Sequence, residues 1–274
     1  MGFRLHRSGR VMRQHDVFVK GDGDIDFGTS RFFLALQALR DLSMFGFIFD
    51  QANDPTDPVF RELVRRCIKD SPLADEDCDK HLTPARDSQF ELYIAAACKH
   101  AGLTPVEHSS PDVIFNIGNF TYCIEAKRPK TIGAIDGCLD YACDQIEKRK
   151  LPGLIAVDTS IAFGLEATES PVPELDEVWE LLRHWRIQLK PTPDRVFAET
   201  HAAAMNLVIR SFKKTMDRRM VGKPVLGIVF DNQMPRIMSD GDWGLTGASI
   251  KYSTSTGPEF DIVADQFLSG LPNC

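Results

Sequence analysis

Pro111-Asp112-Val113-Ile114-Phe115-Asn116-Ile117-Gly118-Asn119-Phe120-Thr121-Tyr122-Cys123-Ile124-Glu125-Ala126-Lys127 reads as one β-hairpin with acids at matched positions. The runs Val113 to Ile117 and Phe120 to Ala126 are rich in aromatic and β-branched residues, and Gly118-Asn119 between them is a two-residue turn signal. A primed turn fixes the register: Ile117 faces Phe120, Phe115 faces Tyr122, Val113 faces Ile124, and Asp112 falls opposite Glu125. The period of two puts Lys127 on the face of Glu125, with Ala126 pointing the other way.

Carboxylates directly opposed across a strand pair, with Cβ atoms about 4.5 to 5.5 Å apart, repel and need compensation. One ammonium on the same face supplies part of it. A hard divalent cation such as magnesium suits the remainder, because it takes one or two carboxylates and keeps waters and substrate phosphate oxygens in its other positions. The hairpin therefore outlines a site for cleaving a phosphodiester.

Pro111-Asp112, twelve intervening residues, then Glu125-Ala126-Lys127 resembles the signature of the PD-(D/E)XK nuclease superfamily, which includes restriction endonucleases, recombination exonucleases and junction resolvases. The resemblance covers roughly Arg86 to Phe163, with the strand near Val225, and does not reach the first eighty residues. It implies catalytic roles for Asp112, Glu125 and Lys127. Asp112 and Glu125 would hold the metal with the main-chain carbonyl of Ala126, and Lys127 would orient the attacking water and stabilise charge at phosphorus. It also implies a further metal-ligand role for Glu91, on the helix before the hairpin, where a glutamate near a helix start is equally favourable against the dipole. Gln145, which would also contact nucleic acid, occupies the position where one branch of the family carries a Gln followed four residues later by Tyr; here that later residue is Arg149.

Basic residues that would contact nucleic acid gather just past the active strand, at Arg128 and Lys130, and on a long C-terminal helix, with Arg210 and Lys214 on nearly one stripe. A solvated helix face has the same look. The chain carries 32 Lys and Arg against 39 Asp and Glu, a formal net charge of -7, which argues against wholesale wrapping by nucleic acid but leaves room for a local basic groove.

Its 274 residues are enough for one large domain or a domain with an appendage, and 43% hydrophobic content is that of an ordinary globular chain. Seven cysteines, at 67, 78, 98, 123, 138, 143 and 274, lack any Cys-x-x-Cys spacing and read as reduced thiols. Neither a signal-peptide run nor a stretch near the roughly 18 apolar residues of a membrane span is present, and His6 breaks the myristoylation pattern. A cytoplasmic location without membrane contact is the expectation. Asp22, Asp24 and Asp26 superficially outline a calcium loop, but Phe27 and Phe33 stand where such a loop needs Gly and Glu. Zinc-ligand spacing and a Gly-x-Ser-x-Gly elbow are both missing.

Helical patterns over Ser30 to Asp50 and Asp57 to Lys69 suggest an N-terminal appendage within residues 1–80, followed by a linker from Asp70 to Pro84 and a nuclease-like α/β domain over 81–274. In that domain a helix capped by Asp87 or Ser88 runs to about His100, and Leu103 to His108 forms a first strand. After the hairpin come a helix from Ala134 to Arg149 and the buried-strand run Leu154 to Val157. Helices over Glu174 to Leu189 and Arg195 to Met220 and a strand from Val225 to Phe230 complete the reading. The expected fold is a restriction-endonuclease-like core with a central mixed β-sheet flanked by helices, plus the N-terminal helical region. The expected function is a magnesium-dependent nuclease, manganese substituting, that hydrolyses nucleic acid, DNA before RNA, through a metal-activated water. An RNA-directed nuclease and a non-catalytic binding or assembly module stay open, as does a homo-oligomer or protein partner docking on the N-terminal helices.

Overall fold

The computed structural model describes residues 30–52, 58–68, 84–104, 106–108, 112–160, 162, 194–237, 243–253 and 258–272. The acidic Gly-Asp stretch before Ser30, the linker expected from Asp70 and the helix expected over Glu174 to Leu189 lie outside these residues. Helix α1 spans Ser30–Asp50, α2 Pro58–Cys67 and α3 Pro84–His100. Strands β1 (Val106–His108), β2 (Val113–Ile117) and β3 (Phe120–Lys127) follow, then a 3₁₀ turn, Ile132–Ala134, leading into α4 (Ile135–Arg149) and β4 (Gly153–Asp158). The C-terminal part holds α5 (Asp194–Ser211), α6 (Lys213–Met220), β5 (Val225–Ile237), β6 (Trp243–Tyr252) and α7 (Pro258–Leu268).

The fold is α/β with a mixed sheet flanked by helices. Six strands lie in sequence order: β1, β2 and β3 form an antiparallel meander, β3, β4 and β5 run parallel, and β6 returns antiparallel to β5. Every residue of β4 is buried, as a continuous apolar run predicts for a strand covered on both faces. One face packs Val113, Phe115, Tyr122, Ile124, Ala126, Leu154 and Ala156 against α1, α3 and α7. On the opposite face Cys123, Ile155, Val157, Ile228 and Phe230 meet α4, α5 and α6.

The hairpin folds in the expected register, with Val113↔Ile124, Phe115↔Tyr122 and Ile117↔Phe120. Only the first turn residue takes a positive φ, Gly118 at 57°, the pattern of a type II′ turn whose twist suits paired strands. Three expectations change. Met44, Phe45 and Ile48 of α1 sit in the same cluster as Phe90 and Tyr93 of α3, so the boundary expected at residue 80 does not separate two cores. The helix expected from Arg195 to Met220 breaks at Phe212, whose N–H turns back to the Ile209 carbonyl at 3.1 Å. The helix expected from Asp87 begins at Pro84, so Asp87 lies inside its first turn.

Among the described residues, Cys67, Cys98, Cys123, Cys138 and Cys143 are not joined in disulfides, and no helix is long and apolar enough to cross a membrane. Gly227 of β5 marks where α7 presses closest to the sheet. A Cβ there would lie 2.1 Å from the Phe260 ring and 2.6 Å from the Tyr252 carbonyl oxygen. Gly227→Ala should therefore lower stability by about 1 to 3 kcal/mol, read from the denaturant midpoint; an unchanged midpoint would show that α7 is not seated on β5 in this way.

Candidate functional site

The site forms where β2 begins and β3 ends. The backbone ladder between them stops at Val113↔Ile124, one step short of Asp112 and Glu125. There a side chain takes over: Asp112 Oδ2 accepts the Ala126 N–H at 2.8 Å, which ties the acid to the adjacent strand beside Glu125. Strand geometry sends the Ala126 carbonyl to the side on which its N–H meets Asp112. Lys127 Nζ donates to Glu125 Oε1 and lies 4.0 Å from Asp112 Oδ2. The two carboxylates and the ammonium thus occupy one notch at the end of the strand pair.

Two helices wall the notch. From α4, the Tyr141 ring lies beneath the ammonium, 5.2 Å from Nζ to its centroid, and stays 60% exposed. From α3, Asp87 and Glu91 approach one turn apart, and both feel the charges of Asp112 and Lys127. Lys130, just past the strand, acts on Asp87 as well.

Negative charge outweighs its compensation here. Burial, then repulsion from Asp112, pushes Glu125 up to about 7 even though Lys127 opposes the shift. Glu91 is likewise pushed up to about 7, by burial first and then by Asp112 and Asp87. Burial also raises Asp112 and Asp87, with Lys127 acting against both shifts. Glu125 Oε2 is buried and receives no hydrogen bond. An unsatisfied, buried carboxylate oxygen next to a second acid fits a hard cation, with the oxygens of Asp112 and Glu125 as its holders. Among the described residues no three His, Cys, Asp or Glu side chains converge on one point, so a cation here would draw the rest of its shell from main-chain and water oxygens. That pattern suits magnesium better than zinc.

The proposed nucleic-acid contacts fare differently. Arg128 is a correction: its side chain is only 1% exposed, held by Asp158 at 2.7 Å, and so does not present its charge at the surface. Arg210 and Lys214 are exposed but lie on separate helices, α5 and α6, because of the break at Phe212. Gln145 stands one turn beyond Tyr141 on α4, half-buried, with its Oε1 lacking a partner.

Three features escaped the sequence reading. Asp87 joins Glu91 at the notch, and their i, i+4 spacing was the available signal. Tyr141 was a lone exposed aromatic on a polar face and gave no signal. Asp158 and Asp231, in register on β4 and β5, form a buried polar layer on the opposite side of the sheet from Lys127. Each closes an apolar strand run, which was the cue. Burial would raise Asp158, but Arg128, Arg40 and bonds from Ser160 bring it below the usual carboxylate range, whereas burial and then Asp158 push Asp231 up to about 7. Ser249 Oγ donates to Asp231 at 2.9 Å, and Gln233 Nε2 reaches the Tyr93 hydroxyl at 2.7 Å.

A raised carboxyl makes the fold less stable once ionised. Because Glu125 titrates near 7 when folded against 4.5 as a free side chain, its contribution is present at low pH and is lost as pH rises between those values. Glu125→Gln should therefore gain on the wild type by a few degrees in melting temperature at pH 8 relative to their difference at pH 4.5; a difference independent of pH would show that Glu125 is not strained by its neighbours. No known protein family is matched by the sequence, and a search of curated proteins found no significantly similar chain.

Proposed function

We propose that this protein is a magnesium-dependent nuclease that hydrolyses phosphodiester bonds of nucleic acid, DNA before RNA, on a restriction-endonuclease-like core. The observation that carries the reading is the juxtaposition of Asp112, Glu125 and Lys127 at the end of one hairpin, with Glu125 Oε2 buried and unsatisfied. The order of a helix, an antiparallel meander, a helix and a parallel strand, α3 through β4, supports it.

In this reading Asp112 and Glu125 would hold the cation and Ala126 would offer its carbonyl. Magnesium bound there would lower the pKa of a water and offset charge at the scissile phosphate. With the cation bound, Glu125 Oε1 would be shared between it and Lys127, whose ammonium would offset charge growing on the phosphate oxygens. Tyr141 limits where that ammonium can swing. Glu91, one turn from Asp87, would take up a proton, or accept a hydrogen bond from a bridging water, on the α3 side of the notch.

Labelled single-stranded DNA, duplex DNA and RNA, each incubated with magnesium and with chelator, test the reading. The wild type should cut at least one of them only with the metal, and Asp112→Asn and Lys127→Ala should each lose roughly 10²-fold or more in rate. Cleavage that survives both substitutions would remove the site. Binding with a steep salt dependence and no cleavage would leave a nucleic-acid-binding module in its place.

Because Glu125 and Glu91 hold protons below about 7, cleavage at limiting magnesium should climb with pH up to that value and then level. A rate that falls over the same interval would contradict two carboxylates competing with protons for the metal.

A further inference from the structure

The residue after the lysine points to the other face of the sheet. Lys127 lies over Tyr141 of α4, while Arg128 enters the layer beneath α1 and α3. Its Nε is 2.7 Å from Asp158 Oδ2 at the end of β4, and its Nη1 donates to the Arg86 carbonyl in the first turn of α3 at 3.3 Å. Both anchors are themselves fixed. Asp158 Oδ1 accepts the Ser160 N–H at 2.8 Å, and the Arg86 side chain pairs with Asp41 of α1 at 3.4 Å, buried on both sides.

One guanidinium therefore links three elements at the notch or beside it: β3 with Glu125 and Lys127, the neighbouring β4, and the turn of α3 that leads into Asp87 and Glu91. The backbone needs such a link at this point. The β3–β4 ladder ends at Lys127↔Val157, and Pro129 brings no N–H with which to continue it. Pro129 also confines Arg128 to extended conformations, which aims its side chain. A buried ion pair stabilises a fold no better than well-packed apolar side chains do; it does impose a distance and a direction.

We propose that Arg128, clamped between Asp158 and the Arg86 carbonyl, is the positioning residue of the site, holding the end of β3 so that the Lys127 ammonium stays over the carboxylates. The catalytic consequence rests on the nuclease reading; the placement of Lys127 does not.

Two replacements separate the clamp from simple destabilisation. Arg128→Lys keeps a charge against Asp158 but has no fork to reach the Arg86 carbonyl as well. Arg128→Met combined with Asp158→Leu removes both charges and leaves neither buried alone. In metal-free buffer, acylation by an N-hydroxysuccinimide ester is followed at each lysine by mass spectrometry. Lys223, which bridges Asp144 and Glu147 on α4, is the internal control.

The clamp requires that Lys127 react roughly 5- to 10-fold faster in both variants while Lys223 is unchanged. With an active wild type, kcat should fall about 10²-fold, the cost of a misplacement near 1 Å, at unchanged KM and salt dependence. An unchanged rate at Lys127, or a parallel rise at Lys223, overturns the proposal. So does a raised KM with a salt slope shallower by about one, the mark of a lost phosphate contact. If both variants fail to fold, the pair is a folding determinant and the positioning role is wrong. A wild type that cuts nothing would defeat the nuclease reading alone, and the labelling ratio would still decide the clamp.

Discussion

Register between β2 and β3 is the constraint on which the site depends. A slip of one residue in either strand would turn its apolar pair, Val113 and Phe115 or Tyr122 and Ile124, out of the core beneath α3. Burying each such side chain stabilises by about 1.5 to 3 kcal/mol. Repulsion between opposed charges on adjacent strands is of order 1 kcal/mol per pair. The apolar face wins, so the core holds Asp112 and Glu125 together against their mutual preference. A site short of positive charge is the result, and Lys127 offsets only part of the deficit.

Two kinds of polar burial share this sheet and behave in opposite ways. In the notch, acids crowd around a single close ammonium, and Glu125 and Glu91 rise to about 7. Across the sheet, Arg40, Arg86 and Arg128 face Asp41, Asp158 and Asp231, and Asp158 falls below the ordinary range despite complete burial. One cluster holds more acids than close cations. The other sets cation against anion, Arg128 against Asp158 and Arg86 against Asp41.

The hairpin was legible to the residue because its information is local: a turn dipeptide, alternation, and acids at mirrored distances from the turn. The central run Leu154 to Val157 was legible for the same reason. Long-range facts were less so. Nothing in the spacing of Phe33 to Phe45 says that α1 shares a core with α3, since an amphipathic helix does not name the surface that it covers. Arg128 looked like a surface cation because its neighbours Lys127 and Lys130 are basic, yet alternation alone placed it on the opposite face from Lys127. Strand β6, from Trp243 to Tyr252, carries Gly244 and Gly247 and gives only a weak strand signal, whereas α7 has a plain helical one in Phe260, Val263, Ala264 and Phe267.

The union of α1 with the core has a consequence for how this chain can be divided. Removing everything before α3 would strip Met44, Phe45 and Ile48 from the cluster beneath β2 and β3 and leave Arg86 without the Asp41 carboxylate. Arg86 lends Arg128 its carbonyl, so damage at the first described helix would travel through one backbone atom to the end of β3. The segment bearing the acids and the lysine is contiguous in sequence but draws its support from α1 and α3, so a shorter fragment cut before α3 would not keep the notch as it stands.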